Sequence, residues 1–286
     1  RSASKVGIDE ATAVAGSPAT SSRVAARNPA AFPAVPSPLV TWRTAETRRN
    51  TKLKKNNKDV KLRVAGLSMM PDDILCVFRW IAACALECLK FAGRGTFDAV
   101  ERARQAKSDW FHADPEAFIA QLIHEITLFE KLCKKNGVEC WIRLNVFSDV
   151  RWGLKQNGAI PQRFPNVNFY DYTKHAHRLK RKLPDNYTLM FSYSKAIEYQ
   201  KYVDIALTTD APISVVFIGP IPETFLGREV YLGDESDILN LAQRNKVIAL
   251  TYKVAKRKKG EPKVDISKSN FVVDTRNSRI PLLIAA

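Results

Sequence analysis

Three cysteines, Cys76, Cys84 and Cys88, fall within thirteen residues of the stretch ILCVFRWIAACALECLKFAGRG that runs from 74 to 95. Thiolates are soft ligands, and three of them would hold a four-iron cluster with one iron left open to a further ligand such as S-adenosylmethionine. Zinc is the other metal that suits thiolates, but it needs a fourth ligand, which Cys133, Cys140, His112 or His124 could supply only through tertiary proximity. Read as a helix, the stretch puts Cys84 and Cys88 on one face, with Cys76 a short way upstream and the Gly93-Arg94-Gly95 turn closing the segment. The competing reading is a buried helix: Ile81, Ala82, Ala85, Leu86 and Leu89 flank the thiols, and cysteine packs well as a small hydrophobe.

A second set of candidates comes from the ends of predicted strands. Runs rich in β-branched and aromatic residues predict strands at 62–68, 139–147, 167–172, 187–193, 213–218 and 247–253. Between and before them, helices are expected at 96–111, with Thr96 as cap and Phe97, Val100 and Ala103 inward, at 115–135, at 195–207 and at 235–244. Strand–helix alternation of this kind predicts an α/β domain with a mostly parallel sheet, of which a complete or incomplete (β/α) barrel is one form. Sites in such folds lie at the carboxyl ends of the strands. There the chain offers Asp149, Asp171 and Lys174 as catalytic acid–base groups, and Asn145, Ser148, Arg151, Thr173 and Ser192 as substrate-binding groups. The bland alternative is that Asp149 and Asp171 cap turns and pair with Arg151 and Lys174. His124, on an apolar helix, reads as a partly buried polar residue, and the acids of 233–237 read as a helix start that complements the dipole.

Charge points to a polyanion. The chain has 286 residues with 45 Lys and Arg against 29 Asp and Glu, a net charge of +16. Nucleic acid is the expected partner. Three stretches could contact phosphates: the run holding Arg48, Arg49, Lys52, Lys54 and Lys55; the segment 174–182 with Arg178, Lys180 and Arg181; and a loop with Lys256, Arg257 and Lys258. His175 and His177 lie among so many cations that a metal pair there is disfavoured. Residues 1–61 read as an extended or disordered arm, Ala/Pro-rich and then basic, and 62–286 as a single domain; residues 1–38 could lie on neighbouring subunits. Arg79, Glu87 and Lys90 interrupt the longest apolar run, so no membrane span is expected, and the odd count of five cysteines suits reduced thiols in a cytosol.

In order along the chain, CALECLKFAGRGTFDAVERARQAKSDWF, IRLNVFSDVRW, FPNVNFYDYTK, YTLMFSYS, FLGREVYLGDESDI and SNFVVDT resemble the phage gene-product-eighty-eight family over about residues 62–275. The resemblance implies a phage or phage-derived origin, in the cytoplasm of an infected or host cell or in the virion, and no established reaction. Family members usually read Thr-Cys-Pro at the first cysteine; here Leu75 and Val77 flank Cys76. A cysteine segment after a first strand is also where radical S-adenosylmethionine barrels place their cluster loop, although the spacing here is C-x7-C-x3-C rather than C-x3-C-x2-C. Two functions follow as expectations: a nucleic-acid-associated protein with a cysteine-ligated metal or iron–sulfur centre, or a non-enzymatic assembly protein that binds through its basic face and arm.

Overall fold

The computed structural model describes residues 39–41, 61–254 and 264–277. The expected arm at 1–38 and the cations Arg48, Arg49, Lys52, Lys54, Lys55, Lys256, Arg257 and Lys258 lie outside the described residues. The chain forms strands β1 (Val40–Thr41) and β2 (Leu62–Leu67), then helices α1 (Asp98–Ala113) and α2 (Pro115–Lys135). Strand β3 (Glu139–Arg143), a single helical turn α3 (Ile160–Arg163), β4 (Asn168–Thr173), β5 (Tyr187–Ser192) and α4 (Gln200–Leu207) follow. The described chain ends with β6 (Ile213–Ile218), β7 (Thr224–Phe225), β8 (Arg228–Leu232), α5 (Asp237–Leu241), β9 (Val247–Thr251) and β10 (Val273–Asp274).

One mostly parallel sheet runs through the molecule in the order β1-β2-β3-β4-β5-β6-β9-β8-β7. Antiparallel pairs stand at its two ends, β1 on β2 and β7 on β8, and no pairing among the described residues joins those ends. From β2 to β6, neighbours in the sheet are neighbours in sequence, and right-handed crossovers therefore carry their connections over one face. That face is the larger core. Phe118, Leu122, Ile126 and Phe129 of α2 pack there on Ala65, Leu67, Ile142 and Phe169. On the other face Val64, Tyr170, Met190 and Ile248 pack against Leu241 of the short helix α5.

α2 follows its sequence closely. Asp114 accepts the Ala117 amide at 2.9 Å, Pro115 starts the helix, Asn136 ends it, and Gly137 takes φ +63°, which a side chain would resist. Its one buried acid, Glu125, accepts the Leu39 and Val40 amides at 3.0 and 2.8 Å, while Lys107 Nζ donates to the Leu39 carbonyl. This clamp puts Val40–Thr41 into the sheet, although they sit inside the expected arm.

The stretch 74–88 is not a helix. Asp72 accepts the Ile74 and Leu75 amides, a few turns follow, and Ala83 at φ +51° stops them. The Cys84 amide reaches back to the Arg79 carbonyl and the Ala83 amide to that of Trp80, the pairing of a helix C-terminus closed by a left-handed residue. After short 3-10 turns at Leu89–Phe91 and Gly93–Thr96, α1 begins with Phe97 as its cap residue, so Thr96 is not the cap. Phe97, expected inward, is 57% exposed. His124, expected to be partly buried, is exposed.

Two devices at the carboxyl rim shape the site. On one edge of β6, β5 pairs only at Ile213 and Ser214, and β10 takes that edge at Phe217 and Ile218. The tips of β5 and β6 therefore part. The chain leading into β10 crosses this opening, with the Ser194 hydroxyl and the Lys195 amide both donating to the Asn270 carbonyl.

A candidate active site at the strand ends

Past the tips of β3, β4 and β5 lies a cavity of about 110 Å³. Its walls bring together two sets that are far apart in sequence: Cys76 and Cys84 from the loop after β2, and Asn145, Ser148, Asp149, Thr173, Lys174 and Ser192 from the strand ends. Val146, Phe147, Arg143 and Tyr172 complete the lining, and Arg143 and Tyr172 are polar groups not expected there from sequence. Alternation along β3 and β4 puts both on the α5 face. There Asp237, the first residue of α5, accepts from Arg143 Nη1 at 3.1 Å and from the Tyr172 hydroxyl at 2.8 Å. The acids of 233–237 were expected to start a helix, and Asp237 does so while holding the strand-end arginine.

The two carboxylates nearest the cavity are thoroughly engaged. Asp149 accepts from the Thr173 hydroxyl at 2.8 Å, the Lys174 amide at 2.7 Å and Arg178 Nη1 at 2.7 Å. Asp171, fully buried, accepts from the Asn145 amide at 2.6 Å, from Asn145 Nδ2 at 2.9 Å and from the Tyr187 hydroxyl at 2.6 Å. Burial pushes the Asp171 carboxyl up to about 6, against the pull of Tyr187, Arg178 and the Asn145 amide. Asn145 then orients the next turn, its Oδ1 accepting from the Ser148 hydroxyl and the Val150 amide. Both acids hold loops in place, but through Arg178, Asn145, Tyr187 and the Lys174 backbone amide rather than by pairing with the side chains of Arg151 and Lys174. Arg151 is exposed and does not line the cavity.

Lys174 is different. It is 6% exposed, and its Nζ donates to the Ser192 and Tyr193 carbonyls at 2.9 and 2.8 Å. The ring of Phe271 lies 4.6 Å and that of Tyr199 5.2 Å from the ammonium. Burial lowers its pKa, and the groups acting against that are Cys84 first, then Cys76, Asp149 and Cys88. A buried cation with carbonyls and ring faces for company thus looks onto three thiols. Burial in turn raises the Cys76 thiol, with Cys84 adding to the rise and Lys174 opposing it; the Cys84 thiol is also raised by burial. Cys88 is half-buried and does not line the cavity. Among the described residues, no three His, Cys, Asp or Glu side chains stand close enough, as placed, to hold a metal ion.

The segment 174–182 splits in two. Arg178, expected to touch phosphates, is buried, bonded to Asp149 and to the Tyr187 hydroxyl at 2.8 Å, so it cannot serve a surface ligand. Lys180 and Arg181 are exposed. Among the described residues no helix is long and apolar enough to cross a membrane. A family model described as gene product 88 matches residues 44–274. Neither the curated proteins nor the solved structures contain a match to the chain.

Proposed function

The chain belongs to the gene product 88 family, a phage gene-product family, and from that premise we propose that Cys76, Cys84 and Cys88 hold an iron–sulfur cluster over the strand-end cavity, where a nucleic-acid substrate is bound. The observation that carries this reading is Lys174, a buried ammonium with no carboxylate in hydrogen-bond contact among the described residues, sharing the cavity with Cys76 and Cys84. Burying a cation is costly unless an anion shares the site, and ligated thiolates supply one. Such a cluster, when bound, supplies one electron to a ligand on the iron that lacks a cysteine, for which S-adenosylmethionine is the candidate. The chain's own residues do the rest. Asp149 fixes the β4 turn so that Lys174 points inward, Asp171 and Asn145 hold the β3 turn, and Ser148, Thr173 and Ser192 offer hydroxyls to a polar ligand. Holding a cluster would require the three sulfurs to come together, within a loop made of turns that has no long helix to fix them.

The test is iron and acid-labile sulfide analysis, with an optical spectrum, on protein purified without oxygen. Iron and sulfide at about one cluster per chain support the reading. Zinc alone would make the loop a structural staple, and protein free of metal would overturn the proposal.

A second reading, an assembly protein, has one observation in its favour. Glu125 and Lys107 grip Leu39 and Val40 firmly, so whatever precedes them leaves the fold from a fixed point. A large assembly that falls apart when residues 1–38 are removed would favour it.

A further inference from the structure

The connection between β4 and β5 faces two ways. Its Lys174 and Arg178 turn into the site, while His177, Lys180, Arg181 and Lys182 are exposed. Arg151 joins them, since the charges that bear on the half-buried His175 ring are those of Asp149, Arg178, Arg151 and His177. Tyr202 stands 6.3 Å from His177, ring to ring, with the Lys201 ammonium 5.2 Å over its face. Arg151, Lys180, Arg181, Lys182 and Lys201 make no ion pair among the described residues. They form a cationic arc with which no acid pairs among the described residues.

An aromatic platform is tied to this arc. Trp80 is 56% exposed, yet its indole is held: Nε1 donates to Asp73 at 2.8 Å, and the Arg79 guanidinium lies 5.0 Å from the ring. Two residues earlier, Phe78 packs edge-on against His175 at 4.5 Å and against Tyr202 at 4.8 Å. Phe78 thus binds the thiol loop to the arc, and Cys76 and Cys84 on either side of it line the cavity.

We infer that this rim is the seat of a single-stranded nucleic acid: phosphates lie along Arg151, Lys180, Arg181 and Lys182, an unpaired base stacks on Trp80, and the strand presents a neighbouring nucleotide to the cavity. Fixed cations serve any phosphate backbone, but an exposed, oriented indole rewards only a base whose face is free. A duplex hides those faces, and only an extruded or unpaired nucleotide can enter a recess among strand ends. The last element of this inference rests on the cavity being the reactive centre; the binding itself does not.

Fluorescence anisotropy of the full chain with labelled oligo(U) and oligo(dT), across a salt series and against an unlabelled duplex, tests it. Replacing Arg151, Lys180, Arg181 and Lys182 with Ala should lower the slope of log affinity on log salt by about one for each cation removed. Trp80→Ala should weaken either homopolymer about tenfold while leaving the slope unchanged. All five side chains are exposed, so these variants should melt with the parent protein. Wild-type affinity and slope in the four-cation variant, or a duplex that competes as well as a single strand, would overturn the inference. The same titration on Cys84→Ser/Cys88→Ser protein separates it from the metal proposal. Arc-dependent binding by that metal-free variant upholds this inference whether or not the parent protein loads a cluster; a parent protein that loads a cluster but shows no arc-dependent binding overturns this inference and leaves the metal proposal standing.

Discussion

The five cysteines divide between two regions that treat the same side chain in opposite ways. Cys133 and Cys140, at the end of α2 and in β3, are 2% and 5% exposed within the main core, and each thiol bears on the other's titration. That influence lowers Cys133 and raises Cys140. Cys76, Cys84 and Cys88 occupy a loop made of turns, which also exposes Ile74, Val77, Trp80, Ile81 and Leu86. In the floor, helix and strand fix each thiol and apolar neighbours complete its surroundings. In the loop, the thiols look onto a cavity and a cation while the apolar side chains face out. A cysteine in the floor is explained by packing; in the loop packing explains little, and that contrast is what makes the loop the candidate site.

The largest effect that could break the comparison is on metal. Cys84→Ser with Cys88→Ser should abolish bound iron and sulfide, whereas Cys133→Ser with Cys140→Ser should leave the iron-to-protein ratio unchanged. Equal losses in both would mean that the distinction is false. Next comes the floor's dependence on pH. The folded protein keeps a proton on Asp171 up to about pH 6, and the unfolded chain releases it near 3.8. Stability should therefore fall as pH rises between these values, by about 3 kcal/mol, and level off above. Asp171→Asn should flatten that stretch of the curve in chemical denaturation, and should cost about 1–3 kcal/mol at pH 5 by turning an amide donor toward Asn145 or Tyr187. Smaller again, Cys133→Ser should destabilise by about 1–2 kcal/mol, and the same change at Cys84 in metal-free protein by less than half of that. Smallest is a gain: Ala83→Gly relieves a left-handed alanine and should raise stability by about 0.5–1 kcal/mol, seen as a higher melting temperature.

Much of this could be read from residues in order. Each of the six runs expected to be a strand holds one, because each is a short run of β-branched and aromatic side chains between turn residues, although β3 stops at Arg143, four residues before the expected end at 147, and β9 at Thr251, two before 253. Six of the predicted strand-end residues do line one cavity with two of the three loop cysteines. The failures have local causes. The β7–β8 hairpin turns on Leu226-Gly227, both at positive φ, and a leucine there carries none of the usual Asn-Gly signal. The loop at 74–88 has a helical apolar content but a left-handed alanine in its middle, which composition does not reveal. Arg178 sits among exposed cations in sequence, and only the fold turns it onto Asp149. Of the 45 Lys and Arg, twelve lie in the two segments 42–60 and 255–263. The described fold is therefore far closer to neutral than the chain total implies, and the rim's cations count for more.

One join across the rim bears on how the protein is made. Glu87 in the thiol loop accepts a hydrogen bond from Ser269, 182 residues later, and Phe271 covers Lys174. A ribosome has thus delivered every strand from β2 to β9 before the residues that finish this mouth emerge. A nascent chain can build its sheet early and still hold Cys76, Cys84 and Cys88 in the open until the last segment crosses over and shuts them in.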